Sequence, residues 1–272
     1  MKEAVIVSGA RTPVASFQGS LAGLSAPQLG AVAIKEAVKR ANIKAEQVEE
    51  VIMGCVLTAA VGQSPARQAL LGAGLPKETS ALTIGKVCGS GLKSVMLADQ
   101  IIRAGDEEIL VAGGMESMSN APYALPEARN GYRMGHGKII DTMIQDGLWD
   151  PYNNLHMGNC AELCAKEYKI TRELQDEFAA ESYRRAQKAI KEGRFKDEIV
   201  PVPVPQKKGD PILVDTDEEP GRGNIDKFPS LRPVFDAKGT ITAANASSIN
   251  DKIAAEQSLS NALSGLNIDL DD

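Results

Sequence analysis

The sequence lacks the features that mark membrane-spanning, disulfide-bonded and nucleic-acid-binding proteins. It has no apolar run of about 18 residues, the length that a membrane helix needs, and it starts directly with a charged strand, so we expect neither a membrane span nor a signal peptide. Four cysteines are too few for a disulfide framework in 272 residues and are expected to be reduced thiols of a cytoplasmic protein. The formal net charge of −6 argues against a nucleic-acid partner, which requires clustered Lys and Arg.

What the sequence does contain is a regular alternation of strand and helix patterns in its first part. Hydrophobic residues make up 43% of the chain, enough for the core of one large or two smaller domains. Apolar runs predict strands at 4–10, at 49–57, from 81 and at 107–114, and helical spacing occurs at 28–41, 66–72 and 92–104. Strands separated by helices predict an α/β fold in which parallel strands carry helices on the sheet faces.

The segment from Ala81 to Gly105 holds the strongest candidate for a reactive side chain. A short strand leads into a tight turn in which Cys88 precedes three small residues, and an amphipathic helix follows. A cysteine beside a helix N-terminus meets free N–H groups and the positive end of the helix dipole, which favours the thiolate and therefore nucleophilic attack. The alternative is that Cys88 is a small core residue, because free cysteines are among the most buried residue types.

The pattern changes after the first 118 residues. Residues 119–170 are rich in Gly, Asn, Tyr and Met without clear periodicity and are interpreted as long functional loops. Thr171 is predicted to cap a helix that runs to Lys191, with Gly193 after its end. The proline-rich segment from Ile199 to Glu219 fits edge strands or an extended crossing rather than a central strand.

Several separated motifs occur in an order that is typical of one known family. They are EAVIVSGARTPVASFQGSL from Glu3, GQSPARQAL from Gly62, KVCGSGLKSV around Cys88, VAGGMESMS from Val111, GYRMG from Gly131, HMG from His156 and TAANASSIND from Thr242. In this order they resemble the thiolases, which make and break carbon–carbon bonds in acyl-CoA thioesters. The match covers about residues 3–251, and several ordered motifs form a much stronger signal than one short motif.

This resemblance implies a fold and a domain organisation. Residues 1–118 would form a thiolase-like α/β domain that carries the nucleophile, with a mixed, mainly parallel sheet and helices on both faces. Residues 119–241 would form an inserted loop domain over the CoA site, and 242–272 would return to the core and end in an atypical acidic tail. Full-length thiolases are dimers or tetramers, so the resemblance also implies a homo-oligomer, or a second chain that supplies a C-terminal half.

The resemblance also implies roles for individual side chains. Cys88 would attack the thioester carbonyl of an acyl-CoA and hold the acyl group. The residues that would bind CoA are His156 and Met157 near the pantetheine and thioester end, Leu148 near the adenine, and Ala243 and Ser247 along the pantetheine arm. No metal and no cofactor is implied besides coenzyme A as the carrier of the substrate.

Several of these residues also have a plain structural interpretation. A single histidine such as His156 is often only a hydrogen-bonded structural residue, Met157 packs equally well in a core, and Ser247 could cap a turn. Cys160 and Cys164, four residues apart on a predicted helix, are interpreted as packed thiols, because no second pair of metal ligands lies nearby.

The sequence also departs from the thiolase pattern. It stops at Asp272, where a thiolase continues with a second half that carries Asn-Glu-Ala-Phe, Gly-His-Pro and Cys-x-Gly motifs, and none of the three occurs here. After Asp251 the small apolar strand of the family gives way to the spacing of a weak amphipathic helix from Ile253 to Leu263. Gly85 stands where thiolases usually have Asn, and the spacing around Arg222 is one residue short for an Arg that binds the CoA adenine.

Three functions follow from these observations. The first is a thiolase-type acyltransferase of lipid metabolism that acts on acetyl-CoA or acetoacetyl-CoA, whose turnover would need the missing base, oxyanion donors and second acid/base. The second is a non-catalytic truncated thiolase that binds CoA or a partner. The third, a β-ketoacyl synthase with carrier-bound substrates, fits less well, because the HMG and TAANAS motifs are typical of CoA-dependent thiolases.

Overall fold

A mixed β-sheet forms the centre of the molecule, which we describe from a computed structural model. The structure describes the backbone of residues 3–260 and the side chains of residues 3–251. The strands are β1 (Ala4–Arg11), β2 (Ala15–Ser16), β3 (Glu50–Gly54), β4 (Ser80–Ile84), β5 (Ile109–Ser117), β6 (Tyr123–Ala124), β7 (Ile140–Asp141), β8 (Trp149–Asp150), β9 (Leu155–His156), β10 (Val202–Val204), β11 (Ile212–Val214) and β12 (Asn250–Ser260). The α-helices are α1 (Ala26–Arg40), α2 (Pro65–Gly72), α3 (Ser90–Ala104), α4 (Met157–Glu167), α5 (Arg172–Glu192) and α6 (Glu219–Arg222).

The strand directions confirm the expected sheet. The order is β1–β12–β5–β3–β4, and the short β2 also pairs with β12. β3 is parallel to both β4 and β5, whereas β12 is antiparallel to β1, β2 and β5. All strands of this sheet except β12 therefore point in the same direction, which is the mixed and mainly parallel α/β arrangement that the sequence predicted.

The strand β12 corrects the helix that we predicted after Asp251. The chain from Asn250 to Ser260 forms a strand between β1 and β5 instead of a helix. A segment between two strands can satisfy its backbone N–H and C=O groups on both sides, and this long-range pairing outweighs weak local helical spacing. The rest of the predicted helix, up to Leu263, lies outside the described residues.

Capping residues bound several of the helices, and those predicted for α5 are confirmed. α1 starts at Ala26, two residues before the predicted start at position 28, and the Gln28 Oε1 atom accepts a hydrogen bond from Ser25 N at 2.9 Å. The Thr171 hydroxyl accepts a hydrogen bond from Leu174 N at the start of α5. α5 ends at Gly193 in the left-handed region, as predicted, and α3 ends at Gly105 in the same conformation.

Helices cover both faces of the sheet. Alternation along β3 places Val51 and Met53 in the larger core, which includes buried residues of α1 and α2, and Ile52 in the smaller core beneath α3. The buried residues of the smaller core are Ile52, Ala98, Ile102, Leu110 and Ala112. The opposite face of α3 is less covered, since Leu92 and Met96 are exposed. The turn between β4 and α3 therefore lies on the face of the sheet that α3 packs against, where the outer side of the helix is exposed.

The segments after β5 lie outside the main sheet until β12 returns to it. β10 and β11 form a separate antiparallel pair, which confirms that the proline-rich segment does not provide a central strand. The boundaries of the loop domain at residues 119 and 241 stay a prediction. Within residues 3–260, no helix combines the length and the apolar character needed to cross a membrane.

Candidate active site

Cys88 lies in the turn that joins β4 to α3, with its side chain exposed. Ser90, the first residue of α3, fixes this turn: its hydroxyl accepts from Lys86 N at 2.7 Å and donates to the Val87 carbonyl at 2.6 Å. Val87 has φ +47°, a left-handed conformation that is strained for a β-branched residue. The exposure of Cys88 excludes the core interpretation and makes its sulfur accessible to a substrate.

Two strand glycines, Gly54 and Gly114, allow the start of α3 to approach the sheet. A Cβ atom built at Gly54, the last residue of β3, would lie 2.5 Å from the Ser90 carbonyl carbon and 2.7 Å from Gly91 N. A Cβ at Gly114 of β5 would lie 3.1 Å from the Gly91 Cα. Side chains at these positions would push the helix away from the strands, so the glycines set the depth at which the turn with Cys88 sits.

Cys88 opens into a cavity of about 740 Å³ between the turn, the ends of β3 and β5, and the segment before β8. Its lining is mostly apolar and includes Val14, Val56, Leu57, Val87, Leu92, Val95, Met115, Met118 and Leu148. Arg11 and Glu116 are the charged side chains of the lining, and no histidine among the described residues takes part in it. A mainly apolar cavity can hold an acyl chain, and an exposed thiol beside it can attack the carbonyl carbon of that chain.

Glu116 bonds to the loop that follows β3. Its carboxylate accepts hydrogen bonds from Val56 N at 2.9 Å and Leu57 N at 3.0 Å, and the Cys55 Sγ atom lies 3.7 Å from its Oε1. Burial raises the pKa of the Glu116 carboxyl, and these three hydrogen bonds offset part of that increase. The sequence analysis missed this residue. The available signal was a carboxylate two positions after the predicted strand at 107–114.

Arg11 connects the cavity wall to the segment before α6. Its guanidinium makes two hydrogen bonds to Asp217, at 2.7 and 2.9 Å, and one to Glu198 at 2.7 Å, and it lies over the Phe195 ring. Asp217 is buried and also accepts from Val14 N at 2.8 Å. A paired charge of this kind holds β1 and the crossing segment in one arrangement. Sequence spacing gave no signal for a pair separated by about 200 residues.

The structure places one of the five predicted CoA-binding residues in the cavity with Cys88. Leu148, half-buried at the end of a short π-helix (Met143–Leu148), lines this cavity. The remaining four do not line it: His156, Met157, Ala243 and Ser247. Of these, Met157, Ala243 and Ser247 have exposed side chains, so the core interpretation of Met157 is wrong. Their roles in CoA binding stay predictions.

His156 has a structural role in this fold. It precedes α4, and its Nδ1 atom accepts a hydrogen bond from Gly158 N at 3.0 Å, so the imidazole caps the helix. The ring stacks on Phe235 with 4.9 Å between the ring centroids. These contacts fix the orientation of the imidazole, which is compatible with a binding role for its other face.

The cysteines of α4 form no metal site in the part of the chain with described side chains. Nowhere in residues 3–251 do three or more His, Cys, Asp or Glu side chains group in a way that could hold a metal ion. Cys160 is half-buried, but Cys164 is exposed. The prediction of two packed thiols is therefore wrong for Cys164, because α4 buries only its Gly158 and Ala165 side.

We expect the thiols of Cys55 and Cys164 to react with iodoacetamide at very different rates. Burial and the nearby charge of Glu116 raise the pKa of the Cys55 thiol to about 12, so at about pH 8 it is almost entirely protonated. Peptide mass mapping should show Cys55 labelled at least about 100-fold more slowly than Cys164 in the folded protein. In denaturant the two rates should converge. Similar rates in the folded protein would contradict the buried environment of Cys55.

Comparison with known proteins identifies the family. The thiolase N-terminal domain family matches residues 4–256, so the chain belongs to the thiolase family. It is 60% identical to an acetyl-CoA acetyltransferase of Cupriavidus necator and 55% identical to one of Pseudomonas aeruginosa, in each comparison over 94% of this chain. The chain spans 65% of the length of either relative.

A solved structure confirms the fold. The Acat5 thiolase from Ascaris suum, crystallised in complex with coenzyme A, is 44% identical to this chain and superposes with a TM-score of 0.89. The similarity covers 95% of this chain and 66% of the Ascaris protein. The predicted α/β thiolase-like fold and the predicted family are therefore both confirmed.

Proposed function

We propose that this chain provides the nucleophile half of a thiolase-type acyltransferase and accepts an acyl group from an acyl-CoA on Cys88. The observation that carries this proposal is the exposed Cys88 sulfur, held on a strained turn at the mouth of a mainly apolar cavity. The names of the bacterial relatives and the coenzyme A in the Ascaris thiolase support an acyl-CoA as the substrate. Acetyl-CoA is the acyl donor that the names of these relatives support, and acetoacetyl-CoA would be the product of its condensation or the substrate of the reverse reaction.

The acyl transfer itself needs only a few groups. The Cys88 thiolate attacks the thioester carbonyl carbon, and the tetrahedral intermediate expels the CoA thiolate, which takes up a proton from solvent. The products are an acyl-Cys88 thioester and free CoA. Cys88 lies two residues before the start of the 15-residue α3, at the positive end of the helix dipole.

Formation of a carbon–carbon bond requires more than the described cavity contains. Deprotonation of a second acyl-CoA needs a base, and the tetrahedral intermediates need oxyanion donors. The cavity holds no histidine among the described residues, and both of its charged side chains are bonded to other protein groups. We propose that a C-terminal half on a second chain supplies these groups, or that the chain works as a homo-oligomer. We also propose that it acts in the cytoplasm and in lipid metabolism.

Intact mass of the full chain after brief incubation with acetyl-CoA tests the acyl transfer. We expect an acetyl adduct that disappears in Cys88→Ala and persists in Cys164→Ala, because both cysteines are exposed but only Cys88 lines the cavity. Loss of the adduct in both variants, or in neither, would contradict Cys88 as the acceptor.

A second candidate function is CoA binding without acyl transfer. The described cavity lining favours it, because it has no histidine and its one carboxylate, that of Glu116, is bonded to the loop after β3. Folded chain that binds CoA in calorimetry but gives no acetyl adduct would support this function and overturn acyl transfer by this chain alone.

A further inference from the structure

Glu116 lies on the face of the sheet that carries α3 and Cys88. Successive side chains of a strand alternate between faces, so Glu116 shares its face with Leu110 and Ala112, which pack beneath α3. β3 ends at Gly54, opposite Gly114, whereas β5 continues to Ser117. Glu116 therefore extends past the end of its neighbouring strand, at the point where the chain of that strand turns away.

The carboxylate replaces the missing strand partner of this loop. Val56 N and Leu57 N have no ladder to join after Gly54, and both donate to Glu116 instead. Cys55 N donates to the Ile84 carbonyl, so the loop is fixed between β4 and β5. Two backbone N–H groups on one half-buried carboxylate form charge-assisted hydrogen bonds, which hold the loop more firmly than neutral ones.

The loop held in this way is one wall of the cavity. Val56 and Leu57 line the cavity together with Gly147, Leu148 and Cys88. The Leu57 side chain is buried against the segment before β8, because a Cβ atom built at Gly147 would lie 3.3 Å from Leu57 Cδ2. The position of Leu57 thus determines how much space the cavity leaves between this wall and the turn that carries Cys88.

We propose that Glu116 is a positioning residue that fixes the 55–57 wall and thereby sets the length of acyl chain that the Cys88 site accepts. The proposal rests on the acyltransferase function proposed above. It makes Glu116 and Gly147, which line the cavity together with Cys88, determinants of substrate selectivity. Substitution of Glu116 by Gln leaves one acceptor oxygen where two N–H groups need partners, so Leu57 should no longer be held against Gly147.

Competition between alkylating reagents of different length tests the proposal without acyl transfer. The full chain is labelled with iodoacetamide and with N-hexyliodoacetamide, and each rate at Cys88 is divided by the rate at the exposed Cys164 in the same digest. The hexyl preference at Cys88 is the normalised rate with N-hexyliodoacetamide divided by the normalised rate with iodoacetamide. We expect Glu116→Gln to raise the hexyl preference at Cys88 by about threefold to tenfold, because a wider hydrophobic site discriminates less against added methylenes. The exposed Glu127→Gln is the matched control and should leave the preference unchanged.

Gly147→Ala provides an independent variant with the opposite expected effect. Its methyl group would press on Leu57 and narrow the cavity, so the hexyl preference at Cys88 should fall by about threefold or more. An unchanged preference in folded Glu116→Gln and Gly147→Ala, or a shift of both in the same direction, would overturn the proposal. Opposite shifts without an acetyl adduct would overturn acyl transfer alone, and an acetyl adduct with unchanged preference would overturn the wall role alone.

Discussion

Gly54→Ala is expected to destabilise the protein by about 3 kcal/mol, because the added methyl overlaps backbone atoms of another element. The overlap is with the Ser90 carbonyl carbon and Gly91 N at the start of α3, and neither atom can rotate away as a flexible side chain would. α3 must therefore shift from the sheet, and Cys88 shifts with the turn. Urea unfolding measures the stability, and the iodoacetamide labelling rate of Cys88 measures the displacement.

Gly9→Ala is the matched control for this substitution. Gly9 is also a strand glycine without positive φ, but a Cβ atom there meets no atom of the described residues within 4 Å. We expect its free energy of unfolding to change by less than about 0.5 kcal/mol and Cys88 to keep its labelling rate. Equal stabilities of Gly54→Ala and Gly9→Ala would show that the turn does not depend on the close approach of α3 to β3.

Arg11→Met should also lower the stability by about 3 kcal/mol, because it leaves the Asp217 carboxylate buried without its cation. The Asp217 side chain is only 7% exposed, and without Arg11 it keeps the hydrogen bond that it accepts from Val14 N. The segment around residues 195–219 should separate from β1, which limited proteolysis detects as faster cleavage in that segment. Thermal unfolding, followed by circular dichroism, gives the stability.

Two variants separate the buried charge from the loss of the Arg11 side chain. Arg103→Met removes an arginine from an exposed pair with Asp99, and we expect a change of less than about 1 kcal/mol. Asp217→Asn added to Arg11→Met should recover part of the lost stability, because it removes the uncompensated charge. No recovery in the double variant would assign the effect to the contact of Arg11 with Phe195 instead.

The local elements of this fold could be predicted because their signals lie within a few residues. Thr171 and Gly193 mark the ends of α5 through capping geometry, which depends on the identity of a residue at one position. Cys88 could be placed at a strand–helix junction for the same reason. The weak helical spacing after Asp251 was misleading, because the position of β12 between β1 and β5 is decided by pairing across the sheet.

The candidate site was only partly predictable. Cys88 and Leu148 were identified by sequence motifs and do line one cavity, but Glu116 and Arg11 were not recognised. Both act on partners far away in sequence: Glu116 on the loop after β3, and Arg11 on Asp217. The need for Glu116 arises only because β3 ends before β5 does, and sequence alone does not specify where two paired strands end relative to each other.

The sequence by itself determined the family, the order of strands and helices in the first 118 residues, and the placement of Cys88 at the start of a helix. The reason is that caps, turns and hydrophobic periodicity are local properties of the chain. Only the tertiary structure decided that Cys88 is exposed, that Gly54 and Gly114 let α3 approach the sheet, and that a half-buried carboxylate fixes the cavity wall. These features depend on distances between segments that are remote in sequence, and close packing sets those distances.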